Sequence, residues 1–210
     1  PGIAAALAAL LVQTAVPLAR LTALNDALFD HYGVRALGYD VLFGEPERSA
    51  EMQLIEAIAS GPLAGDTERL LKLEEIRREH EGDRLLAESL IARDIVLGYV
   101  FKQRPGPSEP ATTGLLPPPI TFADSRIHGH GWLRPQGYAA NLESLQQSAP
   151  AGGFFDTPLT DEDGVVRRVP LLQYYDGNLY ESLALALARL AQGAPPVQFA
   201  FDADRPERLA

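Results

Sequence analysis

Hydrophobic and polar residues alternate along the chain in blocks that predict helices and strands in turn. Apolar residues at helical spacing predict a first helix over 21–29, and Gly33 suits the end of that helix. The mostly apolar runs 34–43 and 94–101 are typical of buried strands. Between these runs, leucines spaced among dense mixed charge predict exposed helices with a break near Gly82.

The second half of the chain continues this alternation after a Pro-rich loop at 102–119. We predict strands over 152–156 and 165–175, and Pro170 makes the second an edge strand or a bulged one. An Asp-Gly-Asn turn leads to a helix predicted over 180–191, and a last strand is predicted over 197–201. The order of elements predicts an α/β fold, a single domain with a central mixed β-sheet flanked by α-helices.

The N-terminal segment, residues 1–19, is Ala-rich and uncharged, and it predicts a hydrophobic N-terminal helix. Pro17 would kink or restart a helix there. Two interpretations stay open for this segment. It is either a buried helix pair or the remnant of a membrane anchor or signal segment. Residues 20–210 are predicted to form the folded domain.

Composition narrows the classes of partner. The chain has 210 residues, of which 46% are hydrophobic, so it can bury a core. Its net charge of −10 argues against a nucleic-acid partner, which needs a basic footprint, and against docking on anionic lipid. The sequence has no cysteine, which excludes disulfides, thiolate metal sites and a cysteine nucleophile. The lack of cysteine fits a periplasmic and a cytoplasmic location equally well.

Four charged residues are candidates for a ligand site. Asp40 lies in the strand predicted over 34–43, and Glu45 lies just past its end, where ligands bind in open α/β sheets. Arg167 and Arg168 are neighbours in a predicted strand, so they face opposite sides and one of them can meet an anionic ligand. We hypothesise a pocket near these four residues that the Pro-rich loop closes. The alternatives are that Asp40 caps a neighbouring loop and that the arginines form surface salt bridges.

The sequence predicts no catalytic set, no cofactor and no metal. Ser182 lies beside Glu181, but no histidine is near it in the sequence. His128 and His130 would share one face of a strand and could chelate a metal, but no third ligand is placed beside them. An alternative function is a soluble α/β hydrolase or phosphatase, metal-dependent, that uses Asp40 with one of these histidines. The missing Gly-rich phosphate loop and nucleophile elbow count against it.

Three blocks of the sequence carry a family resemblance. They are VRALGYDVLFGEPE, DRLLAESLIARDIVLGYVF and GGFFDTPLTDEDGVVRRVPLLQYYDGNLYESLALALAR, in this order. The most specific part is the last block, where a small-aromatic strand precedes D-x-DG-x-x-R-x-x-P and a helix with S-L-A-L-A. Over roughly residues 20–200 the chain resembles the CHASE2 domain.

The resemblance implies a function. CHASE2 domains are extracytoplasmic sensory modules of bacterial transmembrane receptors, and they precede membrane helices and a cytoplasmic output domain. We therefore expect a periplasmic input domain without catalysis of its own, most similar to those joined to adenylate or guanylate cyclases. The expected partners are an unknown small-molecule or environmental ligand, a second copy of the chain within a receptor homodimer, and the membrane through flanking helices.

The chain departs from the family pattern near its start. Family members usually have a hydrophobic strand between an anchor helix and the first helix of the domain. Here residues 1–19 lead straight to that helix, so we expect the strand to be missing and a sheet edge or an incomplete pocket to remain. We also expect residues 20–210 to end before the membrane helices that follow the domain.

Overall fold

The structure of the chain is a computed structural model. It describes residues 8–10, 18–47, 57–61, 67–72, 81–121, 131–157, 163 and 166–200. The helices are α1 (Leu18–Asp26), which a π-helical turn (Ala27–His31) continues, α2 (Gly82–Leu90), α3 (Glu143–Ser148) and α4 (Leu183–Leu190). Residues 57–60 and 67–72 are also helical. The strands are β1 (Ala8–Leu10), β2 (Leu37–Tyr39), β3 (Ile95–Lys102), β4 (Thr112–Thr113), β5 (Gly137–Ala139), β6 (Ala151–Phe154), β7 (Leu172–Tyr175) and β8 (Asn178–Glu181).

The longest strand, β3, is the centre of a mixed sheet. It pairs in parallel with β2 and with β6, and its last residues pair antiparallel with β5. The outer strands β1 and β4 pair in parallel with β2 and β5. Strands β7 and β8 form a separate antiparallel hairpin. The predicted α/β fold with a central mixed sheet is confirmed.

Helices cover both faces of the sheet, as the alternation along β3 requires. Ile95 and Leu97 belong to one buried cluster with Leu86 of α2, and α1 and α3 also contribute to that cluster. The residue between them, Val96, packs in a second cluster with Leu187 of α4. The sheet is therefore a layer between α4 on one side and the other three helices on the other.

The N-terminal strand corrects two expectations from the sequence. Ala8–Leu10 form β1 where the prediction for residues 1–19 was helical throughout, and β1 pairs with β2 from Ala8↔Leu37 to Leu10↔Tyr39. The strand that we expected to be missing is thus present at this sheet edge. The physical reason is that β2 has backbone donors and acceptors on that edge, and a β-strand satisfies them. Apart from Leu18 and Ala19, which begin α1, the rest of 1–19 lies outside the described residues.

The segment before β7 also differs from its prediction. Residues 166–170 are not a strand, and β7 begins only at Leu172. Pro170 explains this, because proline has no N–H for a ladder hydrogen bond and ends the regular pairing. The placement of Arg167 and Arg168 on opposite faces of a strand is therefore wrong.

The predicted Asp-Gly turn is confirmed, and it shifts the start of the last helix. Asp176 and Gly177 have φ values of 46° and 81°, as a two-residue type I′ hairpin turn requires. The chain then pairs back as β8, so α4 begins at Leu183 and not at residue 180. The side chain of Ser182 caps this helix by accepting a hydrogen bond from the Leu185 N–H. The strand predicted over 197–201 is also corrected, because residues 197–200 are irregular.

A buried polar network joins α1 to β2 and α2. Tyr39 Oη donates to Asn25 Oδ1 at 2.5 Å, and Asn25 Nδ2 donates to Ser89 Oγ at 2.9 Å. Ser89 Oγ donates in turn to the carbonyl of Leu86 at 2.8 Å. Asn25 and Tyr39 have no exposed surface, so each polar atom depends on these partners. The network fixes the position of α1 against the sheet.

Because of this network, we expect the free energy of unfolding to fall at alkaline pH. Burial raises the pKa of Tyr39 from 10.0 to about 12, and the hydrogen bond with Asn25 offsets part of this effect. The folded state therefore holds the phenol proton more tightly than the unfolded state. The stabilisation is complete below pH 10 and is lost as the pH rises to 12, by roughly 2–3 kcal/mol.

Chemical denaturation between pH 9 and pH 12 measures this loss. We expect Tyr39→Phe to flatten the fall in unfolding free energy over this range. Burial raises the pKa of Tyr99 as well, so a smaller slope remains in the variant. Equal slopes in the two proteins would contradict the assignment to Tyr39.

Candidate functional site

The structure contains a cleft of about 600 Å³, within the usual size range of small-molecule sites. One wall is the Pro-rich run 115–119. The other walls come from β5, from α3 and from the β7–β8 hairpin, whose tip carries Asp176. Segments far apart in the sequence therefore form one concave surface.

Backbone hydrogen bonds hold the Pro-rich wall in place at both ends. The Leu115 N–H donates to the carbonyl of Asn141 at 2.9 Å, and the Ile120 N–H donates to the carbonyl of Leu179 at 2.8 Å. Between these points, three consecutive prolines have no N–H to offer and have a fixed φ. The wall is thus a stiff, largely apolar surface.

Three tyrosines form the aromatic part of the cleft. Tyr138 comes from β5, Tyr175 from the end of β7, and Tyr180 from β8. The rings of Tyr138 and Tyr175 are 5.6 Å apart and nearly perpendicular, at 88°. Behind them, the buried ring of Phe101 lies 5.6 Å from Tyr175 and 5.7 Å from Tyr180. This packing from behind fixes the orientation of the hairpin rings.

The cleft is electrically neutral apart from one acid. Burial raises the pKa values of Tyr175 and Tyr180, and neighbouring tyrosines and Asp176 raise them further, so both phenols stay protonated at neutral pH. Among the described residues that line the cleft, none is Lys, Arg or His. An anionic ligand would therefore find no positive partner in these walls.

A polar cluster behind the cleft ties β3 to β6 and β7. Asp156, just past β6, accepts hydrogen bonds from the Phe101 N–H at 2.8 Å and from Gln173 Nε2 at 3.1 Å. Gln103 Nε2 donates to Gln173 Oε1 at 2.9 Å. Burial raises the pKa of Asp156, although these hydrogen bonds act in the opposite direction. Gln173 has no exposed surface, so the cluster holds the hairpin against the sheet.

An ion pair attaches the hairpin to α4. Arg189 donates to both carboxylate oxygens of Glu181, at 2.8 and 2.7 Å. This hydrogen-bonded pair raises the pKa of Arg189. Because the Glu181 side chain is only 9% exposed, the bidentate geometry offsets the cost of burying its charge. The ion pair therefore links the hairpin directly to α4.

A buried amide pair lies at the α3 side of the cleft. Asn141 Nδ2 donates to the carbonyl of Gly98 at 3.0 Å and to Oε1 of the cleft residue Gln146 at 3.3 Å. Asn141 Oδ1 accepts from the Phe43 N–H at 2.9 Å. Within the described part of the chain, the buried Nε2 of Gln146 has no hydrogen-bond partner. An unpaired buried donor is costly, and Gln146 Nε2 is such a donor in a residue that lines the cleft.

The four residues predicted from the sequence do not line this cleft. Asp40 directly follows β2 and is half-buried, and Glu45 is exposed five residues later in the same loop. Arg167 is exposed and forms a two-bond ion pair with Asp163, at 2.9 and 2.8 Å. Arg168 is exposed beside it. Ligand binding by these four residues stays a prediction.

The sequence predicted that the Pro-rich loop closes a pocket near these four charged residues, whereas its run 115–119 forms a wall of a cleft that none of them lines. Sequence reasoning missed Tyr138, Tyr175, Tyr180 and Gln146. The only signal was the aromatic pair before the Asp-Gly turn, which served as evidence for a hairpin. Nothing in the spacing indicated that β5 would approach this hairpin.

The described residues contain no cluster of histidine and acidic side chains that could hold a metal ion. His128 and His130, on which the metal alternative depended, lie outside the described residues. Nor does any helix in the described ranges have the length and apolar character needed to cross a bilayer.

The comparison with known families identifies the chain. The model of the CHASE2 domain family matches residues 5–207, nearly the whole chain. The chain belongs to the CHASE2 domain family. CHASE2 domains are extracytoplasmic sensory domains and are not catalytic, which agrees with the expectations from the three sequence blocks. No curated protein and no solved structure gives a significant match to the chain.

Proposed function

We propose that this CHASE2 domain detects a small molecule in the cleft between the Pro-rich run and the β7–β8 hairpin. The observation that carries the proposal is the cleft itself, an aromatic and apolar concavity of about 600 Å³. Its walls are positioned by the sheet core, and such sites are typical of ligand recognition. Family membership supplies the sensory role.

A chain of contacts supports transmission from the cleft to α1. Gln146 bonds to Asn141, and Asn141 accepts from the Phe43 N–H. The ring of Phe43 lies 5.7 Å from Tyr39 at 74°, and Tyr39 donates to Asn25 in α1. A ligand that changes the hydrogen bonds of Gln146 would act at one end of this path. The coupling energy of this path is measured by the receptor experiment below.

The receptor context extends the proposal. The segment that precedes α1 would connect the domain to a membrane anchor, and the chain would act as a homodimer in the periplasm. Membrane helices after the domain would carry the signal to a cytoplasmic output, for which we propose an adenylate or guanylate cyclase. The basis for this context is the resemblance of the sequence blocks to cyclase-linked CHASE2 domains.

Sequencing the parent reading frame on both sides of this chain tests the receptor context directly. We expect a hydrophobic anchor upstream of Pro1, and hydrophobic helices followed by a cyclase domain downstream of Ala210. A different catalytic domain after the membrane helices would support the receptor proposal and contradict the proposed cyclase output. A stop codon soon after Ala210, with no anchor upstream, would contradict the receptor proposal.

The path to α1 is tested in the full-length receptor. Gln146→Ala is expected to change the basal output of the receptor in membranes at least about twofold, because even a coupling of about 1 kcal/mol shifts a two-state equilibrium fivefold. Ser144→Ala is the matched control, since Ser144 is exposed on the same helix and does not line the cleft. Equal outputs for both variants and the wild type would contradict transmission through Gln146.

A further inference from the structure

The cleft has features that restrict the charge of its ligand. Tyr138, Tyr175 and Tyr180 present aromatic rings, and the ring faces carry negative electrostatic potential. Asp176 adds a carboxylate at the hairpin tip. No basic side chain lies among the described lining residues to neutralise these groups. The lining therefore favours positive charge.

The ring geometry suits a compact cation. The rings of Tyr138 and Tyr175 are nearly perpendicular, at 88°, and their centroids are 5.6 Å apart. Tyr180 also lines the cleft, and Phe101 packs against both hairpin rings. Recognition of alkylated ammonium groups by aromatic cages uses this kind of arrangement, with the cation within about 6 Å of the ring centroids.

The tyrosine hydroxyls and the carboxylate in the cleft are also without hydrogen-bond or ion-pair partners among the described residues. In the part of the chain that the structure describes, the hydroxyls of Tyr138, Tyr175 and Tyr180 form no hydrogen bond, and Asp176 forms no ion pair. Each of these oxygens can accept a hydrogen bond or face a positive charge. The net charge of −10 adds a general attraction for cations at low ionic strength.

We infer that the ligand of this cleft is a small organic cation with an alkylated ammonium group, held by Tyr138, Tyr175 and Tyr180 beside Asp176. The inference rests on the proposed sensory function and names the ligand class for the same site. The cationic group contacts the three tyrosine rings, and the apolar remainder of the ligand lies along the Pro-rich run 115–119.

Choline and its uncharged carbon isostere, 3,3-dimethylbutan-1-ol, are suitable probes because they have nearly the same shape. Binding is measured by titrating the ¹⁵N-labelled chain and following its amide resonances. We expect saturable shifts at Tyr138, Tyr175 and Tyr180 with choline, and affinity at least about tenfold lower for the isostere. Equal or tighter binding of the isostere would overturn the inference, and this comparison needs no variant.

Variants locate the cation. Tyr175→Ala is expected to weaken choline binding at least about tenfold, whereas Tyr175→Phe retains it within about threefold, because the ring supplies the attraction. Asp176→Asn should weaken binding about threefold and reduce its dependence on salt. The matched control is Glu88→Gln, which removes one exposed charge on α2 that does not line the cleft. An equal loss in this control would mean a general charge effect and overturn the assignment to Asp176.

Acetate and a set of neutral compounds separate this inference from the proposed function. If acetate or a neutral compound binds the cleft and choline does not, the inference of a cationic ligand is wrong. The proposal that the cleft binds a ligand is then still supported. If no probe of any charge shifts the cleft resonances, both the ligand class and the cleft are wrong as proposed.

Discussion

Gly153→Ala is expected to lower the free energy of unfolding by roughly 3 kcal/mol, the upper end of what overpacking costs. A Cβ added at Gly153 would lie 2.5 Å from both the Cα and the N of Leu183, at the start of α4. These are backbone atoms, so they cannot yield by a rotamer change. Helix α4 would have to move away from β6, which would open the buried contacts of Leu187 with the sheet.

Urea denaturation of the two proteins measures this effect, with Gly131→Ala as the control. A Cβ at Gly131 meets none of the described residues within 4 Å, so we expect that variant to stay within about 0.5 kcal/mol of the wild type. A small effect at Gly153 would mean that α4 does not pack directly on β6. Alanine is also a better strand former than glycine, so local propensity alone predicts a stabilisation.

Asn25→Leu is expected to cost about 3 kcal/mol, although leucine has the same branched arrangement of side-chain heavy atoms and favours helix. The substitution removes the acceptor of the Tyr39 hydroxyl and the donor to Ser89 Oγ, and both groups are buried. An unpaired buried polar group costs about 1–3 kcal/mol, and here two are affected. Thermal or urea unfolding provides the measurement.

The double variant Asn25→Leu/Tyr39→Phe separates the network from simple packing. Replacing both partners by apolar groups should recover at least about 1 kcal/mol relative to Asn25→Leu alone. Thr22→Ala on the same helix is the control, because Thr22 bonds only to the carbonyl of Leu18 among the described residues. If Tyr39→Phe adds a further loss to Asn25→Leu, the two side chains do not act as a pair.

Much of the fold could be predicted because its signals are local. The apolar run around Leu37 and the run beginning at Ile95 can only be buried, and they form the parallel pair at the sheet centre. The Asp-Gly dipeptide at 176–177 requires positive φ values, and the hairpin forms there. The N-terminal strand could not be predicted, because an Ala-rich segment favours helix and only the edge of β2 makes it a strand.

The candidate site was harder to predict from the sequence than the fold. Charged residues such as Asp40 and Arg167 stand out in a sequence, but their burial and partners depend on packing. Arg167 is committed to Asp163 four residues earlier, and the Pro-rich wall meets tyrosines from two distant segments. Aromatic residues of a cleft have the same sequence pattern as those of a core, so only the shape of the folded chain distinguishes them.

Ligand sensing through the cleft is what we propose for this CHASE2 domain. It is tested most directly by mapping, on the ¹⁵N-labelled chain, where members of a library of cationic, neutral and anionic small molecules bind. We expect the saturable amide shifts to centre on Leu116, Tyr138, Gln146 and Tyr175, with smaller shifts reaching Phe43 and Asn25. Shifts confined to residues 40–45 and 166–168 would contradict the cleft and favour the site of Asp40, Glu45, Arg167 and Arg168.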